Sequence, residues 1–370
     1  MRGPGPKRIL SLDGGGIRGV LTLEYLEVIE TLLRERSQNP NLLLCDYFDL
    51  IGGTSTGAIL ATTLACGFSV AQVKTLYTSL GASVFQRSMF RQGIFAAKFP
   101  AEPLEKALAD ALEAPTTLGD GKVRTGLMIT AKRLDTGSPW AVHNHPDGPY
   151  TKENSALKLV SLVRASAAAP TYFEPEHIEI HSRAGVVTEG QFVDGGVSPH
   201  NNPCLQLLML ATLQGHGFGW KTGPNDLLII SIGTGTRRES ANTEDPFGWV
   251  AAKQGVRALQ SLMDDAAQLN LTLMQWLTRS LTHWWIDSEV QMMEADSQKG
   301  PSLATFARYN ALLDAKWLAS ELGISYTDKD LNAISRMDDP SNMKQLAAIG
   351  AAAARHQVKT DHFAENFNLP

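Results

Sequence analysis

The chain has 370 residues, of which 43% are hydrophobic and 19% are charged, as is usual for a globular protein of one large domain or two smaller ones. Its net charge of -5 argues against a general nucleic-acid binder, so no nucleic-acid polymer is expected as a partner. Three cysteines without CxxC spacing argue against a disulfide framework or a zinc site and favour the reducing cytoplasm. No apolar run approaches the ~18 residues of a membrane span, and the N-terminal one is too short for a secretory signal.

The first two thirds of the chain alternate predicted strands with predicted helices. RILSLD (8–13) is typical of a short buried strand, and VLTLEYLEVIETLLRER (20–36) repeats its apolar residues with the helical period. The segment DGGGIRG (13–19), here named the glycine loop, is therefore predicted to turn from strand to helix. Further strands are predicted at 47–53, 126–134, 191–196 and 226–235, and further helices at 58–67, 155–170 and 201–213. This alternation predicts an α/β fold in which helices cover both faces of a mainly parallel sheet.

Beyond about residue 240 the strand signals stop. Helical patterns are found at 246–283, 311–322 and 341–357, and no flexible linker separates them from the preceding part. We therefore predict a first domain over 1–240 and a helical C-terminal extension over 241–370 that packs on it.

GTSTG (53–57) fits the pattern G-x-S-x-G, in which a nucleophilic serine lies on a sharp turn between a strand and a helix. Ser55 would be that nucleophile, and Gly53 and Gly57 would give the backbone room. The five-residue match also fits a turn of small residues that lets a helix pack closely on a strand. Its position between a predicted strand and a predicted helix favours the catalytic interpretation.

A serine nucleophile needs a general base. Asp194 ends a predicted strand in FVDGG, and Gly195 follows it directly. A conventional triad would add a histidine after the acid, and the chain offers five, at positions 200, 216, 283, 356 and 362. None of the five lies in a context that marks it as catalytic. A dyad without histidine and a triad with one therefore both stay open at this point.

The glycine loop is typical of a site that receives negative charge. A run of glycines entering a helix leaves unpaired backbone N–H groups at the positive end of the helix dipole. Such groups can bind a nucleotide phosphate, or they can hold the charge that develops on a carbonyl oxygen during acyl transfer. No Lys-Ser or Lys-Thr closes a P-loop here. The spacing of Gly14, Gly16 and Gly19 suits a dinucleotide fingerprint, but no ribose-binding acid follows at the right distance.

Taken together, DGGGIRG, GTSTG and DGG, in this order and spacing, resemble the patatin-like phospholipases. SAAAPTYF (166–173) and SIGTG (231–235) are similar to that family as well. The resemblance covers about residues 8–240, which would then be the catalytic domain of a three-layer α/β/α patatin-like fold. It implies a Ser-Asp dyad in place of a triad, with Ser55 as nucleophile and Asp194 as base, and with no metal and no cofactor.

The resemblance also implies an oxyanion hole in the run Gly14, Gly15 and Gly16. The N–H groups of Gly15 and Gly16 would be its donors, while Gly14 and Arg18 would shape the loop. For Arg18 we favour this structural role over contact with substrate. Gly53, Gly57 and Gly195 would shape the backbone around the two catalytic residues.

The implied activity is phospholipase A type hydrolysis of fatty-acyl esters in membrane glycerophospholipids through an acyl-enzyme. The implied location is the cytoplasm, with transient contact at the inner face of the membrane. Two other hypotheses remain. One is a soluble esterase with a histidine triad. The other is an antiviral effector gated by a cyclic dinucleotide, which some similar bacterial enzymes are. The oligomeric state is open, and a dimer is one of the options.

Two segments are candidates for contact with lipid. VFQRSMFRQGIFAAKFP (84–100) interleaves Arg87, Arg91 and Lys98 with phenylalanines and contains no acidic residue, which suits an interfacial segment or a lid. The alternative is that its phenylalanines belong to the core. MQWLTRSLTHWWID (274–287) carries three tryptophans, which favour membrane interfaces, but we expect ordinary core packing there.

Overall fold

The computed structural model describes residues 3–84, 99–113, 115–237, 251–287, 289–293 and 300–369, without the side chains of 82–84 and 251–260. Within these ranges the strands are β1 (Lys7–Leu12), β2 (Leu50–Thr54), β3 (Gly126–Arg133), β4 (Pro139–His143), β5 (Glu176–His181), β6 (Val187–Asp194), β7 (Leu227–Ile232), β8 (Arg279–Ser280) and β9 (Thr305–Tyr309). They form one sheet in the order β5-β6-β3-β2-β1-β7-β9-β8, and β4 pairs with β3. The central pairs are parallel, whereas β4, β5 and β6 join through antiparallel pairs.

Helices cover both faces of this sheet. In the same ranges the α-helices are α1 (Gly19–Ser37), α2 (Leu44–Tyr47), α3 (Thr56–Ala65), α4 (Val70–Val84), α5 (Glu102–Leu112), α6 (Thr151–Asn154), α7 (Leu159–Ser166), α8 (Cys204–Thr212), α9 (Ala251–Leu277), α10 (Ala315–Leu322), α11 (Asp328–Ile334) and α12 (Met343–Gln357). Successive residues of β1 point to opposite faces. Leu10 and Leu12 enter a core shared with α1, α3 and α12, while Ile9 enters a second core under α8 and α9. The prediction of a three-layer α/β/α fold with a mainly parallel sheet is confirmed.

The expectation that strand signals stop after residue 240 is wrong. TFARY (305–309) forms β9, a fully buried strand that pairs in parallel with β7 and extends the sheet. The run is only five residues long and contains Arg308, so its charge hides the strand pattern. Much of the C-terminal part is helical as expected, and α12 packs along α1. The division at residue 240 itself stays a prediction.

The two lipid-contact candidates have different outcomes. Residues 85–98 of the first segment lie outside the described residues; Phe99 is buried and stacks on Tyr172, with ring centroids 6.2 Å apart. In the second segment, Trp284 packs against the smaller core as expected. For Trp276 the expectation of core packing is wrong, because its side chain is 48% exposed on the outer face of α9. None of the described helices combines the length and apolarity that crossing a bilayer requires.

Candidate active site

Ser55 lies on the predicted sharp turn between β2 and α3. Its backbone has φ 54° and ψ -122°, a strained conformation for a residue other than glycine. Both neighbouring glycines are required sterically. A Cβ at Gly53 would lie 2.0 Å from the carbonyl oxygen of Gly57, and a Cβ at Gly57 would lie 2.1 Å from that of Leu12. The turn therefore presents the half-buried Ser55 side chain at the end of the strand, as a nucleophile requires.

Asp194 lies near Ser55, although β3 separates their two strands, β6 and β2, in the sheet. Asp194 is the last residue of β6 and pairs with Ala131 of β3. The preceding residue of β3, Thr130, pairs with Thr54 of β2 on the other side. The Ser55 hydroxyl lies near enough to the Asp194 carboxylate to lower its pKa, and the Gly196 N–H donates to Asp194 Oδ1 at 2.7 Å. We refer to Ser55 and Asp194 as the dyad. The Gly196 N–H orients its carboxylate.

The environment of Asp194 makes it a stronger base than a free aspartate. Burial raises the pKa of Asp194 to about 6, while the contacts with Ser55 and the Gly196 N–H lower it. The carboxylate is therefore still mostly ionised at neutral pH and accepts a proton more readily than a solvated one. Gly195 allows this packing, because a Cβ there would lie 2.4 Å from the Thr130 carbonyl oxygen.

The SAAAP segment supports both members of the dyad. Ser166 Oγ accepts a hydrogen bond from the Ser55 N–H at 2.8 Å and donates to the Thr130 carbonyl at 2.6 Å. The Asp194 N–H donates to the Ala168 carbonyl at 3.0 Å. The sequence drew attention to this motif without assigning it a task. Its task in the structure is to fix the backbone of both dyad residues.

The glycine loop lies against Ser55. A Cβ at Gly14 would come within 3.2 Å of Ser55 Cβ. The Gly14 N–H is already used, since it donates to the Asn201 carbonyl at 3.1 Å, which leaves Gly14 a shaping residue rather than a donor. Within the part of the chain that the structure describes, the N–H groups of Gly15 and Gly16 have no acceptor. These are the two groups that the resemblance names as oxyanion donors.

A Cβ at any position of the glycine run would meet a neighbouring atom at short distance. A Cβ at Gly14 would lie 2.4 Å from Asn201 Oδ1, and one at Gly15 would lie 2.2 Å from Thr234 Oγ1. Gly16 has φ +57°, and a Cβ there would lie 2.3 Å from the Met337 carbonyl oxygen. The loop is thus packed on its outer side, which is the reason for three consecutive glycines.

Arg18 ends the short 3₁₀ turn Gly16–Arg18. Burial lowers the pKa of its guanidinium, and the negative charges of Asp264 and Asp13 oppose that effect. Among the described residues its Nε has no hydrogen-bond partner. Its charge is therefore balanced by acids from the loop and from α9, in keeping with a role in shaping the loop.

No histidine joins the dyad in the described ranges. The structure contains no hydrogen bond or ion pair between any of the five candidate histidines and Ser55 or Asp194 there. Two of the five have partners elsewhere: His356 Nε2 lies 3.5 Å from the carboxylate of Glu321, and His362 Nδ1 lies 2.7 Å from the hydroxyl of Tyr309. His283 lines a cavity beside the glycine loop.

A cavity of about 1370 Å³ opens beside the glycine loop. Asp13, Gly14 and Arg18 form part of its wall, together with residues of α9 and of the C-terminal part. The same described residues contain no cluster of three or more His, Cys, Asp or Glu side chains that could hold a metal ion.

The family model described as "Patatin-like phospholipase" matches residues 10–208, which is more than half of the chain. The chain belongs to the patatin-like phospholipase family. The match contains the glycine loop and both members of the dyad. The match ends before Thr234 and Arg308. Both of these later residues form hydrogen bonds to the glycine loop.

Individual relatives agree with this family assignment. The chain is 32% identical over 231 residues to the "cGAMP-activated phospholipase" of Escherichia coli (strain TW11681), a match that covers 61% of this chain and 62% of that protein. It is 30% identical over 287 residues to Patatin-15 of Solanum tuberosum, covering 70% of each. Among solved structures, VipD from Legionella pneumophila matches with 14% identity and a TM-score of 0.35 over 93% of this chain and 67% of that one.

Proposed function

We propose that this patatin-like protein is a lipid acyl hydrolase of the phospholipase A type, which cleaves fatty-acyl esters of membrane glycerophospholipids. The observation that carries the proposal is that Ser55 and Asp194 lie beside the glycine loop, where the Gly15 and Gly16 N–H groups have no acceptor among the described residues. The family's description as phospholipases supports the substrate class.

The first half-reaction acylates the enzyme. Ser55 Oγ attacks the ester carbonyl while the Asp194 carboxylate takes the hydroxyl proton. The N–H groups of Gly15 and Gly16 donate to the oxyanion of the tetrahedral intermediate, and one such donor contributes about 10²–10³ in rate. Collapse of the intermediate breaks the ester C–O bond. Protonated Asp194 gives its proton to the leaving lysophospholipid, and the acyl group stays on Ser55.

The second half-reaction uses the same groups on water. Asp194 removes a proton from the attacking water, the same N–H groups hold the second oxyanion, and the fatty acid leaves as Ser55 Oγ recovers its proton. We place this reaction at the inner face of the membrane, reached from the cytoplasm, because the substrate is lipid and the three cysteines, which lack CxxC spacing, favour a reducing compartment.

A trapping experiment tests the nucleophile. The full chain is incubated with a long-chain fluorophosphonate, which phosphonylates activated serines, and the modified residue is located by mass spectrometry. We expect labelling at Ser55 and none in Ser55→Ala, with Ser320→Ala, an exposed serine of α10, labelled like the wild type. Labelling at another serine, with Ser55 untouched, would contradict the proposal.

A second candidate is that a cyclic dinucleotide switches this hydrolase on, and the cavity favours it. Its volume of about 1370 Å³ exceeds the roughly 300–1,000 Å³ of common small-ligand sites. Its walls carry Arg237 and Lys359, which suit phosphates, and Trp285 and Trp317, which suit stacking on bases. A ligand there would also contact the glycine loop. The Escherichia coli relative's name, "cGAMP-activated phospholipase", supports the same idea.

Gating is tested by measuring ester hydrolysis by the full chain during titration with a panel of cyclic dinucleotides. We expect one of them to raise the rate. Lys359→Gln should weaken that response, whereas Lys344→Gln, an exposed lysine of α12 outside the cavity, should leave it intact. An unchanged rate across the whole panel would remove this candidate.

A further inference from the structure

The SIGTG segment, which begins at the end of β7, holds the glycine loop from its outer side. Thr234 Oγ1 donates a hydrogen bond of 3.0 Å to the carbonyl oxygen of Gly14. Thr234 is 4% exposed, and its side chain fills the space that a Cβ of Gly15 would occupy. One buried threonine thus both bonds to the loop and packs on it.

This bond sets the direction of the candidate oxyanion donor. Gly14 C=O and Gly15 N–H belong to one planar trans peptide, so they point in opposite directions. With the Gly14 carbonyl held by Thr234, the Gly15 N–H points away from Thr234 and has no acceptor in the described residues. If this peptide flipped, the Gly14 carbonyl oxygen would take the place of the Gly15 N–H. That oxygen would repel an oxyanion.

A run of three glycines needs such a restraint. Glycine has no Cβ to limit its backbone angles, so alternative peptide orientations cost little within the run itself. The next peptide is held as well: Thr56 Oγ1 donates to the Gly16 carbonyl at 2.9 Å, and the Tyr77 hydroxyl donates to the same oxygen at 2.5 Å. Among the described residues, Thr234 is the side chain that hydrogen-bonds to the peptide bearing the Gly15 N–H.

We propose that Thr234 is a positioning residue for the oxyanion hole, which keeps the Gly14–Gly15 peptide in the orientation that offers the Gly15 N–H to the substrate. The proposal rests on the proposed function of the dyad. It predicts that removal of the Thr234 hydroxyl weakens stabilisation of the transition state but not binding of the substrate. Thr234→Val should lower kcat about 10–100-fold with little change in KM, somewhat less than the about 10²–10³ lost with a donor itself.

The test compares variants of the full chain on a soluble p-nitrophenyl ester. Thr234→Val removes the hydroxyl at constant shape, and Thr234→Ser retains it and should keep most of kcat. Thr125→Val is the matched control, because Thr125 is also a buried threonine that donates to a backbone carbonyl, that of Phe48, far from the dyad. It should leave kcat and KM unchanged.

A second readout needs no turnover. A trifluoromethyl ketone adds to the serine and forms an oxyanion, and its binding can be followed by ¹⁹F NMR. Thr234→Val should weaken this binding by the same factor as kcat/KM, whereas Thr125→Val should not. If Thr234→Val does not fold, Thr234→Cys, of similar size with a weaker donor, carries the same expectation.

The outcomes separate this proposal from the proposed function. Wild-type kcat and ketone affinity in Thr234→Val, with Ser55→Ala inactive, would overturn the role of Thr234 alone. Full activity of Ser55→Ala would overturn both. Equal losses in Thr234→Val and Thr234→Ser would also contradict the positioning role, because the hydroxyl would then not be what matters.

Discussion

Arg308 of β9 and Asp13 of the glycine loop form a buried ion pair, although 295 residues separate them in sequence. Arg308 Nη1 lies 2.8 Å from Asp13 Oδ1 and also donates to Ser231 Oγ at 2.8 Å, and its second terminal nitrogen binds the other carboxylate oxygen. Neither side chain is more than 8% exposed. The pair ties the start of the loop to a strand beyond residue 240, so the C-terminal part helps to build the site.

Breaking this pair from one side should be costly. Arg308→Met is expected to lower the free energy of unfolding by about 3–5 kcal/mol, because it removes the hydrogen-bonded partner of the buried Asp13 carboxylate. Adding Asp13→Asn should recover part of that loss. Urea denaturation checks this, with Lys122→Met, which breaks the exposed pair with Glu113, as a control expected to change little. Equal losses for the single and double variants would contradict the prediction.

The rate of ester hydrolysis should depend on the ionisation of Asp194. Only the carboxylate form accepts the Ser55 proton, and burial raises its pKa to about 6. We therefore expect kcat/KM to rise as the pH increases through about 6 and then to level off. A pH series with a soluble ester measures this. A profile whose midpoint lies near the pKa of a free aspartate, about 4, would contradict it.

The same pKa shift predicts a stability change. The folded protein holds the Asp194 proton more tightly than the unfolded chain, so the buried carboxylate destabilises the fold above pH 6 and has no such effect below pH 3.8. Asp194→Asn should therefore raise the free energy of unfolding at pH 8, by roughly 3 kcal/mol. The gain should fade as the pH is lowered to about 4. A gain of equal size at both pH values would show that charge is not its cause.

The tight turn at Ser55 should not tolerate a methyl group at Gly57. Gly57→Ala would place its Cβ 2.1 Å from the Leu12 carbonyl oxygen, and overpacking of this kind costs about 1–3 kcal/mol or more. Thermal denaturation should show a clear loss. Gly121→Ala is the control, since Gly121 is exposed with open space around it. Similar melting temperatures for Gly57→Ala and the wild type would contradict the described turn.

Replacement of the histidines distinguishes a dyad from a triad. Alanine at each of positions 200, 216, 283, 356 and 362 in turn should leave ester hydrolysis unchanged, because within the described residues none of these histidines forms a hydrogen bond or ion pair with the dyad. Loss of a catalytic histidine would instead cost about 10²–10⁴ in rate. Such a loss in any one variant that still folds would restore the triad hypothesis.

The parts of the site that the sequence predicted are those with a local cause. Gly53 and Gly57 flank Ser55 within one turn, and Gly195 follows Asp194 directly. The glycines that each tight turn requires are therefore close to the catalytic candidates in sequence. The strand-helix alternation predicted the layers for the same reason, since periodicity is a local property.

The parts that the sequence did not predict arise from contacts between distant segments. Thr234, Arg308 and Met337 hold the glycine loop by bonds across more than 200 residues, and a single buried hydroxyl or guanidinium leaves no periodic pattern. β9 was missed because its charged residue interrupts a short apolar run. SIGTG was noticed as a motif, but only the fold shows that Thr234 meets Gly14.

The dyad is tested most directly by fatty-acid release from phosphatidylcholine vesicles, measured for the full chain beside Ser55→Ala and Asp194→Asn. Ser320→Ala serves as the matched serine control, and circular dichroism establishes that each variant is folded. We expect release by the wild type and by Ser320→Ala, and none by the two dyad variants. Undiminished release by folded Ser55→Ala would contradict the mechanism.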